Sequence, residues 1–106
     1  MLSLEYHTVD GLTVRLTYER WVEHISTRHH EVTFVDVEEA LTQTTRICCH
    51  KEYANRRVYE GHPRPRGLHH TEIPLVAVQL DNGQTGWVVT AYRAPRRYQG
   101  VQLWPA

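Results

Sequence analysis

Cysteine, lysine and long apolar runs are all scarce in this chain of 106 residues. The only two cysteines, Cys48 and Cys49, are adjacent, so on a strand they point to opposite faces and are poorly placed to bridge each other. This pattern argues against a disulfide framework, lacks C-x-x-C metal spacing and favours a reducing setting. No segment has the length of a membrane span or the pattern of a signal peptide. We therefore expect one soluble, cytoplasmic domain over residues 1–106 with no membrane partner.

Positive and negative charges cancel overall, but they are separated along the chain. Residues 1–45 carry three basic and eight acidic groups, whereas residues 46–106 carry nine basic and four acidic groups. All basic residues except Lys51 are arginine, which forms paired hydrogen bonds with phosphate and stacks on bases. A basic second half is typical of nucleic-acid binders, although arginine-rich compositions also occur in GC-rich or heat-adapted sources.

The first third of the chain predicts a hairpin and a helix. Apolar residues alternate with polar ones over residues 2–6, and a second strand-like segment covers 12–16, with a tight-turn signal at residues 10–11 between them. Thr17 is the expected N-cap of a helix that runs to about His30. These signals place a small hairpin before the first helix.

A second helix and a sheet are predicted beyond it. Thr33, with Asp36 three residues later, indicates a capping box that opens a shorter helix. After this helix, apolar residues recur at every second position, which is typical of strands. A final segment, residues 101–104, either forms an edge strand or packs against the rest of the domain. The predicted strands of an antiparallel sheet are 47–50, 57–60, 75–80 and 86–92. The expected class is therefore α+β.

The first predicted helix carries the most informative motif. His24 lies about one to one and a half turns before His29 and His30. One neutral imidazole can accept a proton while a second, protonated one donates, and Arg20 and Arg28 are close enough in sequence to hold an anion. The ordinary alternative is that these histidines are surface groups or satisfied core residues.

Eight histidines also raise the question of a metal site. His29-His30 and His69-His70 are adjacent pairs, which is poor chelating geometry. His24 and His29 are five residues apart, whereas helical metal pairs are usually four apart. We therefore expect no native metal and no cofactor.

The helix motif and the last core strand together resemble a known family. The pattern Trp21-x-x-His24-Ile25-x-x-Arg28-His29, a basic strand in mid-chain and Val88-Val89-Thr90-Ala91-Tyr92 are similar to small phage-associated nucleases of the barnase–EndoU–colicin–RelE (BECR) superfamily. The resemblance covers about residues 12–93. In that family a proline commonly follows the helix motif. Here His30 stands in its place, so both His29 and His30 are candidates for the second histidine.

The resemblance implies one or two helices on a four-stranded antiparallel sheet, with RNA cleaved at its concave face without a metal. The 2′-hydroxyl attacks the adjacent phosphate and leaves a 2′,3′-cyclic phosphate and a 5′-hydroxyl. His24 and His29 would be the acid/base pair, and Arg57 would stabilise the phosphorane. Thr90 and Tyr92 would position the phosphate or substitute in proton transfer. Without the resemblance, this last pair indicates only strand propensity.

Further RNA contacts are expected from cationic side chains. Residues 61–70 form a proline- and arginine-rich segment without a regular pattern, either a mobile clamp on RNA or a plain surface loop. The residues expected to contact RNA are Arg28, His30, Arg64, Arg66, Arg93, Arg96 and Arg97.

Together these patterns predict a metal-independent endoribonuclease, toxin-like or phage-derived, that acts on a cellular RNA such as tRNA or mRNA. The alternative is a non-catalytic RNA- or protein-binding module on the same fold. Besides RNA, two partners are considered. One is an inhibitory antitoxin or immunity protein, and the other is a second copy of the chain, for which the acidic first half is the candidate surface.

Overall fold

The computed structural model describes residues 2–106, and its first feature is the expected hairpin. Strands β1 (Ser3–His7) and β2 (Thr13–Thr17) pair antiparallel in a regular register. Gly11 in the turn has a φ of 87°, a left-handed conformation that glycine adopts without steric cost. The backbone N–H of Leu12 donates to the Thr8 hydroxyl at 2.9 Å and closes the turn.

The first helix, α1, covers residues 18–28 and is irregular. Thr17 caps it as predicted, because its hydroxyl accepts from the backbone N–H of Arg20 at 3.1 Å. The middle of the helix widens into a π turn over Trp21–Ile25, with α-helical segments on either side. His29, with a φ of −130°, leaves the helical conformation. The helix therefore ends close to the predicted position.

The second helix, α2, covers Phe34–Thr42 and confirms the predicted capping box. The Asp36 N–H donates to the Thr33 hydroxyl at 3.2 Å, and the Thr33 N–H donates to the Asp36 carboxylate at 2.9 Å. These two bonds satisfy two of the backbone N–H groups at the start of the helix that have no acceptor within it. Over residues 2–106, neither helix has the length and apolarity needed to cross a bilayer.

Six further strands complete one mixed sheet. They are β3 (Arg46–Cys49), β4 (Arg56–Glu60), β5 (Arg64–Arg66), β6 (His70–Leu80), β7 (Thr85–Ala94) and β8 (Gln102–Trp104). The order of strands in the sheet is β1-β2-β7-β6-β4-β3-β8, with β5 paired to β6 outside that path. All pairs are antiparallel except β2 and β7, which run parallel.

The α+β class is confirmed, but the expected four-stranded sheet is too small. Strands β7, β6, β4 and β3 do lie side by side and antiparallel. The N-terminal hairpin, expected beside the sheet, instead extends it, because β2 pairs with β7 and the Thr13 N–H donates to the Gln84 carbonyl at 2.8 Å. Val14 and Leu16 on β2 are thus buried in the same core as the central strands.

One face of the sheet packs against the helices and contains the main apolar core. Ile25 of α1 and Val37 and Leu41 of α2 are fully buried there. The same face receives one side chain in two from each neighbouring strand. The strand residues in this core include Val14, Leu16, Ile47, Tyr59, Val76, Val78, Val88 and Ala91.

The second face is partly covered by the segment between β7 and β8. The Arg46 guanidinium donates to the Tyr98 carbonyl at 2.9 Å and to the Glu60 carboxylate at 2.9 Å. The Tyr98 N–H donates to the same carboxylate at 3.3 Å, and Arg97 lies 3.4 Å from it. The buried carboxylate of Glu60 therefore anchors the C-terminal segment on this face.

Residues 61–70 contain regular structure, contrary to the expectation from their prolines. Strand β5 pairs antiparallel with the start of β6, so Arg64 lies opposite Glu72 and Arg66 opposite His70. Gly67, with a φ of 70°, makes the connecting turn. The prolines are tolerated because β5 is a three-residue edge strand, where a missing N–H disturbs no ladder.

A buried ion-pair cluster joins this ribbon to α2 and β7. Asp36 is 1% exposed, and its carboxylate lies 2.7 Å from Arg64 Nε and 2.9 Å from Arg93 Nη2. Arg64 also contacts Glu39 through a second nitrogen. Because a buried carboxylate needs compensating charge, the cluster connects three separate elements.

Replacement of Asp36 by Ala should strongly destabilise the protein. It removes the shared partner of Arg64 and Arg93, and loss of one side of a buried ion pair costs about 3–5 kcal/mol. Urea denaturation followed by circular dichroism measures the change in free energy of unfolding. The matched control is Glu38→Ala, an exposed position on the same helix, which should change it by less than about 0.5 kcal/mol. Equal effects of the two substitutions would contradict the assigned role of the cluster.

Candidate functional site

The π turn in α1 determines how the histidine motif is presented. The Ser26 N–H bonds to the Trp21 carbonyl, five residues back instead of four. The next turn returns to α spacing, since the His29 N–H donates to the Ile25 carbonyl at 2.7 Å. A single π turn shifts the residues that follow it around the helix axis, and such turns are frequent at functional sites. The regular helix assumed from the sequence therefore misjudges the direction of the second histidine.

His24 lies half-buried within the π turn, with Arg20 and Arg28 nearby. Burial of the ring is the main cause that lowers the pKa of His24 below its ordinary value, and the charges of Arg20, Arg28 and His29 lower it further. Thr17, Glu19, Arg20 and Glu23 line a shallow polar pocket together with His24. The lowered pKa favours the neutral imidazole, which is the form that accepts a proton.

His29 and His30 have clearly different surroundings. The half-buried His29 ring lies beside the Tyr92 ring, with centroids 5.8 Å apart and planes tilted by 38°. The exposed His30 ring turns back and donates through Nε2 to the Thr27 carbonyl at 2.8 Å, so it caps the end of α1. Of the two candidates, only His29 is brought together with Tyr92.

A β-bulge in β7 sets the direction of Thr90 and Tyr92. Ala77 pairs with Thr90, but Val78 pairs with Val88, so Val89 is an extra residue in β7. Without this residue, Thr90 and Tyr92 would continue the alternation that turns Val88 into the core. The bulge instead directs them to the second face of the sheet, as the sequence could not indicate.

The two hydroxyls on this face are poorly solvated. Burial raises the pKa of Tyr92, and the nearby Tyr98 adds to the shift, so the phenol stays protonated at neutral pH and can donate a hydrogen bond. The Thr90 Oγ1 atom is buried and has no hydrogen-bond partner within residues 2–106. A buried hydroxyl without a partner is uncommon, so Thr90 offers a free polar group beside Tyr92.

Arg57 does not join these residues, and its predicted place in the site needs correction. It pairs with Val78, whereas Thr90 pairs with Ala77, so the alternation of side chains puts Arg57 on the opposite face. There its guanidinium lies 2.5 Å from the Asp10 carboxylate, which also accepts from the Tyr59 hydroxyl at 2.9 Å. Arg57 therefore ties the hairpin turn to β4.

Most of the arginines expected to contact RNA are held in ion pairs within the protein. Arg64 and Arg93 bind Asp36, Arg66 lies 2.9 Å from Glu72, and Arg97 lies 3.4 Å from Glu60. Their charges are largely compensated, which weakens the predicted clamp at residues 61–70. Arg28 and Arg96 are exposed and make no ion pair within residues 2–106, and His30 is exposed as well.

One carboxylate beside the candidate site was not predicted from the sequence. Glu31 lies 3.7 Å from the Nδ1 atom of His29. The contact arises because the chain leaves the helix at His29 and brings a residue two positions later alongside the ring. A carboxylate two residues after a histidine, just beyond a helix end, is the only sequence signal that could have suggested it.

No group of three or more His, Cys, Asp or Glu side chains in residues 2–106 is arranged to hold a metal ion. The candidate groups are instead the His29 ring beside the Tyr92 phenol, the Thr90 hydroxyl on the same strand, and His24 with the nearby guanidinium groups of Arg20 and Arg28. These are groups for proton transfer and for binding an anion.

Comparisons with models of known protein families, with curated proteins and with solved structures found no match for this chain. The resemblance to the BECR nucleases therefore depends on the sequence motifs alone: the helix motif, the basic strand in mid-chain and residues 88–92.

The pKa of His24 can be measured by NMR titration of its ring protons. We expect a midpoint below the ordinary value of 6.5. Arg28→Gln should move it upward because one repelling charge is lost, whereas Arg96→Gln should leave it unchanged. Since the unfolded chain binds this proton more tightly, His24 should lower the free energy of unfolding as the pH falls below about 6.5. A midpoint at or above 6.5 would contradict the conclusion that burial and nearby positive charges lower the pKa of His24.

Proposed function

We propose that this protein is a metal-independent endoribonuclease that cleaves RNA by attack of the 2′-hydroxyl on the adjacent phosphate. The observation that carries the proposal is the half-buried His29 ring beside the Tyr92 phenol, with His24 near enough for the two histidine charges to interact. Such a cluster provides an acceptor and donors for protons in one place.

His24 is the better general base of the two histidines. Its lowered pKa keeps the imidazole neutral near pH 7, so it can take the proton of the 2′-hydroxyl as the oxygen attacks phosphorus. His29 then donates a proton to the departing 5′ oxygen. The 2′ oxygen–phosphorus bond forms as the 5′ oxygen–phosphorus bond breaks, which yields a 2′,3′-cyclic phosphate and a 5′-hydroxyl.

Glu31 would position His29 for this step. Its carboxylate lies 3.7 Å from Nδ1, so Nε2 is the nitrogen left for the substrate. We regard Glu31 as a positioning residue, since it acts through His29 and touches no reacting atom.

The charge that develops on phosphate needs donors around it. The Tyr92 phenol supplies a neutral hydrogen-bond donor on one side of the cluster, and the unpaired Thr90 hydroxyl is buried on the same face of the sheet. The exposed Arg28 supplies a positive charge on α1. Arg57, which the resemblance implies for this role, is paired with Asp10 on the other face, so we assign the electrostatic role to Arg28.

Incubation of the purified protein with total RNA in EDTA, followed by end-group analysis, tests the reaction. We expect fragments with 2′,3′-cyclic phosphate and 5′-hydroxyl ends. The double variant His24→Ala/His29→Ala should lose about a thousandfold or more in cleavage rate, since each proton transfer contributes roughly 10²–10⁴-fold. RNA affinity, measured by fluorescence anisotropy, should change little.

His30→Ala is the matched control, because His30 is adjacent in sequence but bonded to the helix end. It should cleave at nearly the wild-type rate. Intact RNA with a folded, RNA-binding wild-type protein would overturn the catalytic assignment and favour a binding module. Cleavage at the wild-type rate by the double variant would reject His24 and His29 as the acid/base pair.

Tyr92→Phe separates the role of the phenol from that of the ring. The phenyl ring preserves packing against His29, but the donor to phosphate is lost, so kcat should fall by about tenfold or more with KM nearly unchanged. Tyr53→Phe, at an exposed tyrosine that packs against Arg56, is the control and should have no effect. Equal kcat for the wild type and Tyr92→Phe would remove the phenol from the mechanism.

A further inference from the structure

An open apolar groove runs beside strand β1 and adjoins the polar pocket of His24 at Thr17. Leu2 and Leu4 of the hairpin form one wall, and Tyr18, Trp21 and Phe34 of the helical region form the other. Trp21 and Phe34 stack with centroids 4.0 Å apart. Leu2 is 77% exposed and Tyr18 59% exposed. Because Trp21 also packs against the main core, the groove continues the core out to the surface.

The strand beside this groove lacks the usual protection of a sheet edge. Strand β1 is the last strand in the sheet order, and its pairing with β2 contains no bulge, proline or lysine. The opposite edge, β8, is only three residues long, pairs with β3 through an irregular register and is followed by Pro105. Regular unprotected edges are templates for an added strand.

Two acidic side chains lie near β1 and the residues that line the groove, although neither lines it. Glu19 follows Tyr18, and Glu38 lies close enough to Tyr6 on β1 for its charge to add to the burial that raises the pKa of this phenol. Both carboxylates are exposed and have no ion-pair partner within residues 2–106.

We propose that β1 and its groove bind an extended segment of a partner protein, added as a strand to the open edge, with apolar side chains at alternate positions and lysine or arginine beside them. The backbone of the segment would bond to the free N–H and C=O groups of β1. Its alternate apolar residues would enter the groove, and its basic residues would pair with Glu19 and Glu38.

Charge favours such a partner over a second copy of this chain. Two copies joined through β1 would bring their own acidic side chains together, and like charges across neighbouring strands are destabilising. A basic segment removes this repulsion and adds attraction that speeds the encounter. The groove is lined by none of the residues assigned to RNA cleavage, so the inference stands whether or not the protein cleaves RNA.

A displayed library of short random peptides, selected on the full-length protein, tests the proposal. We expect enriched peptides that alternate apolar residues and carry lysine or arginine. Synthetic versions should bind with an affinity that falls as salt is raised. Leu4→Lys should weaken binding by about tenfold or more by placing a charge in the groove, and Glu38→Lys should weaken it by reversing a charge near β1.

Leu68→Lys is the matched control, since Leu68 is also an exposed leucine but lies far from β1 in the β5–β6 turn. It should bind the selected peptides like the wild type. Thermal melting confirms that each variant is folded. No enrichment, or enriched peptides that bind Leu4→Lys and wild type equally, would overturn the proposal. A dimer in sedimentation equilibrium that is lost in Leu4→Lys would overturn it in favour of a second copy.

Discussion

The carboxylate of Asp36 is the interaction on which the arrangement of this protein most depends. It closes the capping box of α2 and neutralises Arg64 and Arg93, which come from the β5–β6 ribbon and from β7. A charge that is 1% exposed is tolerated only with such compensation, so the three elements must meet in one orientation. The strand that carries Arg93 also carries Tyr92, one residue earlier on the opposite face. The ion-pair cluster of Asp36, on the core face of the sheet, thereby holds in place the strand that presents Tyr92 on the second face.

Two local irregularities assemble that site. The π turn over Trp21–Ile25 changes the direction of the residues after it, and the extra residue Val89 in β7 turns Thr90 and Tyr92 away from the core. Each is unfavourable for a regular element, because it interrupts an ideal ladder of hydrogen bonds. Together they bring a histidine from a helix end beside a tyrosine on a strand. Such paired departures from regular geometry are typical of functional sites.

The arginines show how far a charge pattern can mislead. A basic second half predicts a broad nucleic-acid surface, yet Arg64, Arg66, Arg93 and Arg97 face buried or half-buried carboxylates. Their partners Asp36, Glu60 and Glu72 are distant in sequence or lie in the same ribbon, and composition counts them only as separate charges. The positive charge without an acidic partner among residues 2–106 is therefore smaller than the sequence suggests.

Local signals were sufficient for most of the elements, but not for strand β5 or for the π turn in α1. The hairpin turn at Gly11, the Thr17 cap, the Thr33–Asp36 capping box and the four central strands all follow from interactions within a few residues, and each is present. The sequence named His24, His29, Thr90 and Tyr92 as candidates, but it did not indicate Glu31 or the geometry of the site. Contacts between distant segments decide four features that the sequence could not indicate. These are the pairing of β2 with β7, the position of the bulge, the contact of Tyr92 with His29 instead of His30, and the placement of Arg57 on the opposite face. Side-chain direction changes with a single residue of register or helical phase, and that phase is set when the strands and helices pack against one another.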